Sequence, residues 1–139
     1  MPSTQLSVVL ALAVSFVTPT FALDQKGIQY AAPNGYRLLL DAHVPPGTGP
    51  FGAAIVVHGG GFDKGNRETY VRPVLDVLTN AGFAWFSIDY RLAPEAHFAQ
   101  SSADVATAIR WVKAHAAEYR IDTSKIALVG ESAGGLLVN

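Results

Sequence analysis

The sequence has 139 residues, with 10 Lys and Arg against 11 Asp and Glu, a formal net charge of -1 and no cysteine. Half of it is hydrophobic and 15% is charged, which bounds it to one globular domain and excludes a disordered or polyelectrolyte chain. No basic stripe is available to neutralise phosphates, so nucleic acid is not an expected partner, and without thiols there is neither a disulfide framework nor a thiolate metal site.

The chain opens on an apolar run, Leu6 to Val17, followed by Thr18-Pro19-Thr20-Phe21-Ala22 with small residues where a signal peptidase inspects. This predicts a secretory signal over residues 1–22, cleaved after Ala22, and a secreted or periplasmic product. Residues 2 to 5 carry no Lys or Arg, so the amino terminus supplies the positive charge. A membrane-anchoring helix is the competing reading. The run is shorter than the roughly 20 residues a span needs, and Pro19 would break it, so no stable membrane span is expected.

From Leu23, Ile28-Gln29-Tyr30 and Tyr36 to Val44 read as strands around Pro33-Asn34-Gly35. Asn-Gly tolerates positive φ, which predicts an antiparallel hairpin. Pro45 to Pro50 is a loop whose prolines lack ladder amides. Three nearly continuous apolar runs follow: Ala53 to Val57, Phe83 to Ile88 and Ile126 to Val129. Strands without polar alternation are buried on both faces, as in a parallel sheet. Between the first two, Val71, Val74, Leu75 and Leu78 recur at helical spacing, with Pro73 in the first turn and Gly82 as the C-terminal cap. Between the last two, Val105, Ala108, Ile109, Val112, Ala116 and Tyr119 mark a longer helix, opened by a capping box of Ser101 and Asp104. The expected fold is α/β, a hairpin leading into β-α-β-α-β, with helices on the sheet faces.

Ligands of such sheets gather beyond the carboxyl ends of the strands. There the runs end in His58-Gly59-Gly60-Gly61-Phe62, Asp89-Tyr90-Arg91 and Gly130-Glu131-Ser132-Ala133-Gly134. The last is strand, tight turn and helix, with Ser132 lifted clear of the sheet as a candidate nucleophile. A Cβ at the flanking Gly130 or Gly134 would collide with neighbouring strand and helix. The glycines after His58 leave backbone N–H groups bare, as a tetrahedral oxyanion requires, so Gly60, Gly61 and Ala133 are the candidate donors. A phosphate loop is the alternative, but Asn66-Arg67 stands where it would need Lys and Ser or Thr, and Lys64 occupies the third glycine of a dinucleotide pattern.

Of the four histidines, His43, His97 and His115 read as structural or solvated. His58 is expected to orient the glycine loop through hydrogen bonds rather than to take a proton. No pair has metal-ligand spacing, and no metal is expected. Asp89, Arg91 and Glu95 are read as a charged network holding their loop, and Glu131 as holding the turn by hydrogen bonding.

With these motifs in this order, His58-Gly59-Gly60-Gly61-Phe62, Asp89-Tyr90-Arg91-Leu92-Ala93-Pro94-Glu95 and Gly130-Glu131-Ser132-Ala133-Gly134-Gly135, the chain resembles the α/β-hydrolase fold, specifically hormone-sensitive-lipase-like esterases. The Ala93-Pro94-Glu95-Ala96 run, the helix around Trp111 and the Ile121-Asp122 step are similar to feruloyl and acetyl-xylan esterase-like hydrolases. The likeness covers nearly the whole chain after the leader; Ala99 departs where many relatives carry proline. It implies hydrolysis of a small-molecule ester or acylated carbohydrate by Ser132, no cofactor, and an acid and then a histidine after the nucleophile. Residues 133–139 contain no Asp, Glu or His. Residues 23–139 are therefore read as the N-terminal part of such a domain, inactive alone. Two other readings stand beside this: a naturally short, non-catalytic binding protein of the same fold, and the same fold directed at amides, thioesters or lactones.

Overall fold

The structure is a computed structural model that describes residues 21–139. The expected leader, apart from Phe21 and Ala22, lies outside the described residues. Strands β1 (Leu23–Ala31), β2 (Leu38–Val44), β3 (Phe51–Val57), β4 (Ala84–Ile88) and β5 (Ile121–Gly130) alternate, after the hairpin, with helices α1 (Arg72–Asn80), α2 (Phe98–Ala114) and α3 (Ala133–Leu137). They form one sheet in the order β1-β2-β4-β3-β5. Strands β1, β2 and β4 pair antiparallel, while β3 runs parallel to both β4 and β5. The hairpin turns where expected, on Asn34 at φ 52 and Gly35 at φ 80 within a short 3-10 turn. No helix of the described residues is long and apolar enough to cross a membrane.

Strand β3 shows why its sequence does not alternate. Ala53, Ile55 and Val57 join the main core with Phe86, Ile88 and the α2 residues Val105, Ala108 and Val112. Ala54 and Val56 meet Val71 and Leu75 on the opposite face, beside α1. Each large side chain buried in this way contributes about 1.5–3 kcal/mol. The third apolar run departs from the expectation of burial on both faces. Ala127 and Leu128 are exposed and Ile126 and Val129 only partly buried, because β5 stands at the edge of the described sheet and pairs with β3 alone.

Helix α1 ends as its sequence predicts. Gly82 takes φ 75, its amide donates to Thr79 O and the Phe83 amide to Leu78 O, a Schellman termination that settles two terminal carbonyls. Helix α2 does not begin as expected. Its N-cap is His97, whose amide donates to the Gln100 side chain at 3.0 Å. Ser101 and Asp104 lie inside the helix and turn toward the β4–α2 loop instead: Ser101 donates to Arg91 O at 2.7 Å, and Asp104 takes two hydrogen bonds from the Arg91 guanidinium. Ala116 and Tyr119 fall beyond the helix end, in the turn that leads to β5, yet still reach the core.

The expected Asp89–Arg91–Glu95 network is likewise replaced. Arg91 is engaged by Asp104, and Asp89 by Arg67, which also pairs with Asp41. Glu95 is exposed. The partners come from α2 and from the β3–α1 loop because these elements, unlike a residue two or four places along the same loop, meet the buried side of each group.

Candidate active site

The three parallel strands end level: Val57 is opposite Ile88 in β4 and Gly130 in β5. The residues that follow, His58, Asp89 and Glu131, therefore leave the sheet at one edge. At the end of β5 the backbone turns sharply. The Glu131 amide still donates to Val57 O at 3.1 Å, then Ser132 adopts φ 49 and ψ -115 before α3 starts. For a residue with a Cβ this is a strained conformation, of the kind that persists only where surrounding structure dictates it. Ser132 occupies the N-cap position, where a serine ordinarily caps the helix, yet its hydroxyl makes no capping hydrogen bond. Ser132 is exposed, and its hydroxyl is left free of the cap.

The flanking glycines are required by space. A Cβ on Gly134 would strike Val57 O and stand 2.6 Å from His58 O, and one on Gly130 would strike the Gly134 carbonyl and stand 2.5 Å from the Gly135 nitrogen. The collisions foreseen from the sequence are thus with β3 on one side and α3 on the other. The glycine loop is as tight: Gly60 has φ 117, and a Cβ there would strike the Lys64 carbonyl. Gly60 O accepts the Asp63 and Lys64 amides, which closes the loop into a turn. Among the described residues, the Gly60, Gly61 and Ala133 amides donate to no protein acceptor.

His58 is fully buried under this loop. Its Nδ1 donates to Gly59 O at 2.6 Å, its ring stacks on Tyr90 at 4.4 Å, and the Tyr90 hydroxyl donates to His58 O at 3.0 Å. Burial lowers the imidazole pKa, although the Gly59 carbonyl opposes it. Burial, with the Glu131 carboxylate nearby, pushes the Tyr90 phenol up to about 12. The histidine holds the glycine loop through a hydrogen bond, as expected of it. Glu131 holds the turn through its backbone rather than its side chain: its amide donates to Val57 O and its carbonyl accepts the Gly134 amide. Its exposed carboxylate lies over Gly59, and a Cβ on Gly59 would collide with it.

Ser132, Glu131, Gly60 and Gly61 line an open cleft of about 450 Å³ together with Asp63, Lys64 and Tyr70. None of the four histidines lines it. The last three residues of the cleft were not among the site residues expected from the sequence. Loop residues carry no periodicity, and only the path of the β3–α1 loop brings Tyr70 back to the end of β5. Arg67, which fixes that path by hydrogen bonds to Asp41 and Asp89, follows the glycine-rich loop with no pattern to mark its role.

Residues 40–139 match the BD-FAE family. The chain is 34% identical to an ethyl acetate hydrolase from Pseudomonas putida over 75% of its own length and 34% of that protein's. In three dimensions it is similar to a thermophilic esterase from Thermogutta terrifontis solved with butyrate bound, with a TM-score of 0.74 and 31% identity over 83% of this chain and 42% of that one. A hyperthermophilic esterase from Pyrobaculum calidifontis gives a TM-score of 0.71 and 30% identity over 87% of this chain and 37% of that one. The chain thus spans between about a third and two fifths of these relatives. It belongs to the BD-FAE family, a hormone-sensitive-lipase-like branch of the α/β-hydrolases, and carries an incomplete form of that fold.

Proposed function

We propose that the full-length protein containing these residues is a secreted serine hydrolase of carboxylic esters, with Ser132 as nucleophile. The observation that carries this reading is the Ser132 backbone, held at φ 49 and ψ -115 in a cleft that Ser132 lines together with Gly60 and Gly61 of the glycine loop. In the reaction, Ser132 Oγ attacks the ester carbonyl carbon and gives its proton to a base. The carbonyl π electrons move to oxygen, where the Gly60, Gly61 and Ala133 amides receive the negative charge. Collapse expels the alcohol, protonated by the same base, and water then releases the acid and restores the serine.

The base is not His58, which is fully buried beneath the loop and does not line the cleft. None of the other histidines lines the cleft, and the family's chain order has the acid and then the histidine follow the nucleophile, so both are assigned to residues outside these 139. The butyrate-bound relative supports a small acyl group. Secretion is supported by the position of β1, which begins at Leu23, so that cleavage after Ala22 leaves the sheet whole. Intact mass of the exported protein should show Leu23 at its amino terminus; a retained leader would contradict export by this route. Steady-state hydrolysis of short acyl esters by the full-length protein, abolished in Ser132→Ala, tests the chemistry. Turnover surviving that substitution would refute it.

A further inference from the structure

Tyr70 is the unexplained residue of the cleft. It is 68% exposed, and it adopts φ 60, a left-handed conformation that is an outlier for a bulky side chain. Exposure and strain together are unfavourable for a residue that contributes nothing. The chain on either side is anchored. Upstream, Arg67 donates to Asp89 from its amide and to both Asp41 and Asp89 from its guanidinium, and Ser87 donates to Arg67 O at 2.6 Å. Nearer still, Asn66 and Thr69 close a turn on each other. Downstream, Val71 is buried against Leu75, Ala54 and Val56. The backbone that carries the phenol ring is thus held on both sides, and the ring lies beside the cleft that holds Ser132.

A rigid, exposed aromatic ring costs little further entropy when a flat partner covers it. Resting on the assignment of Ser132 as nucleophile, we propose that Tyr70 is a specificity-determining residue, which stacks on a neutral ring in the acyl or alcohol part of the ester. Two of the three charged cleft residues, Asp63 and Glu131, are carboxylates and one, Lys64, is a cation. Their balance disfavours an anionic substituent at this position. An aryl ring and a sugar pyranose present the same flat face, and the experiment separates them.

In the full-length protein, kcat/KM is compared for phenyl acetate, an acetylated methyl pyranoside and the linear butyl acetate. Tyr70→Asn removes the ring while keeping a residue that tolerates left-handed φ, and Tyr70→Phe keeps the ring. Tyr70→Asn should lower kcat/KM by roughly threefold to tenfold, the size of one aromatic contact, on phenyl acetate or on the pyranoside. Butyl acetate should be spared and Tyr70→Phe should restore the loss. Tyr70→Asn should also raise Tm by relieving the strain. An equal loss on all three esters, or none on any, would overturn the proposal. Should Ser132→Ala leave hydrolysis intact, or the wild type cleave none of the esters, the nucleophile assignment fails. Tyr70 is then read by saturation-transfer NMR with phenol and methyl pyranoside. Weaker transfer to one of them in Tyr70→Asn sustains the stacking role, and unchanged transfer to both ends it.

Discussion

His58 carries two constraints in one side chain. Nδ1 is satisfied by Gly59 O, while Nε2 is buried without a hydrogen-bond partner. Protonation in the fold would strand a charge there, and burial accordingly depresses the imidazole pKa. An unfolded histidine takes up a proton near pH ~6.5, so the unfolded state binds more protons below that value. The contribution is therefore complete above about pH 6.5 and is lost as pH falls from there through the lower folded value. His58→Asn can retain a donor to Gly59 O without a titrating group. The fall in Tm between about pH 7.5 and pH 5 should be smaller in this variant of the full-length protein than in the wild type. Identical slopes would remove His58 from the acid sensitivity. The hydrogen-bonding role of His58 was legible from its place at a strand end. Its stacking on Tyr90 was not, because 32 positions separate them and only the parallel pairing of β3 and β4 closes the gap.

At the scale of elements, the site depends on how closely α3 approaches β3. Gly134 makes that approach possible, since a Cβ would meet the Val57 and His58 carbonyl oxygens, whereas a Cβ on Gly135 would have its nearest neighbour at 3.5 Å. Gly134→Ala should force the helix away, costing about 1–3 kcal/mol. It should also lower kcat by about a hundredfold through misplacement of Ser132. Gly135→Ala should be neutral or slightly stabilising, since alanine is favoured in a helix by up to about 1 kcal/mol. Thermal melts and kcat of the two variants check this; equal effects would mean that the close approach does not matter. The spacing of Gly130, Ser132 and Gly134 was enough to foresee these collisions because a tight strand-turn-helix corner leaves no room for a Cβ against the strand and helix beside it. The start of α2 was misread for the opposite reason. Ser101 and Asp104 have the right spacing for a cap, but Arg91 binds Asp104 through its backbone amide and guanidinium, and local spacing cannot register a partner from another element.

Across the whole molecule, the apolar runs disclosed the strands and the turn chemistry disclosed the hairpin. The position of each strand in the sheet was the missing quantity. Strand β5 is as apolar as β3 in its second half, yet Leu128 is 36% exposed because β5 pairs on one side among the described residues. A run of apolar residues reports what a strand is suited to bury, not what covers it. The cleft has the same character. Ser132 and the glycines after β3 are brought together by the ends of β3 and β5, while none of the four histidines lines the cleft. The placement of Ser132 beside the glycine loop is set by elements of this chain; its activation by a base is part of the proposed function.

The most direct test is the turnover of a short acyl ester by the full-length protein, its Ser132→Ala variant and the isolated 139-residue chain. The full-length protein should hydrolyse the ester, and Ser132→Ala should lower kcat by about 10⁴-fold or more. The isolated chain should stay at background with or without Ser132, for want of a general base. Hydrolysis by the full-length protein that persists in Ser132→Ala would contradict the nucleophile assignment. Robust Ser132-dependent turnover by the isolated chain would contradict the missing base.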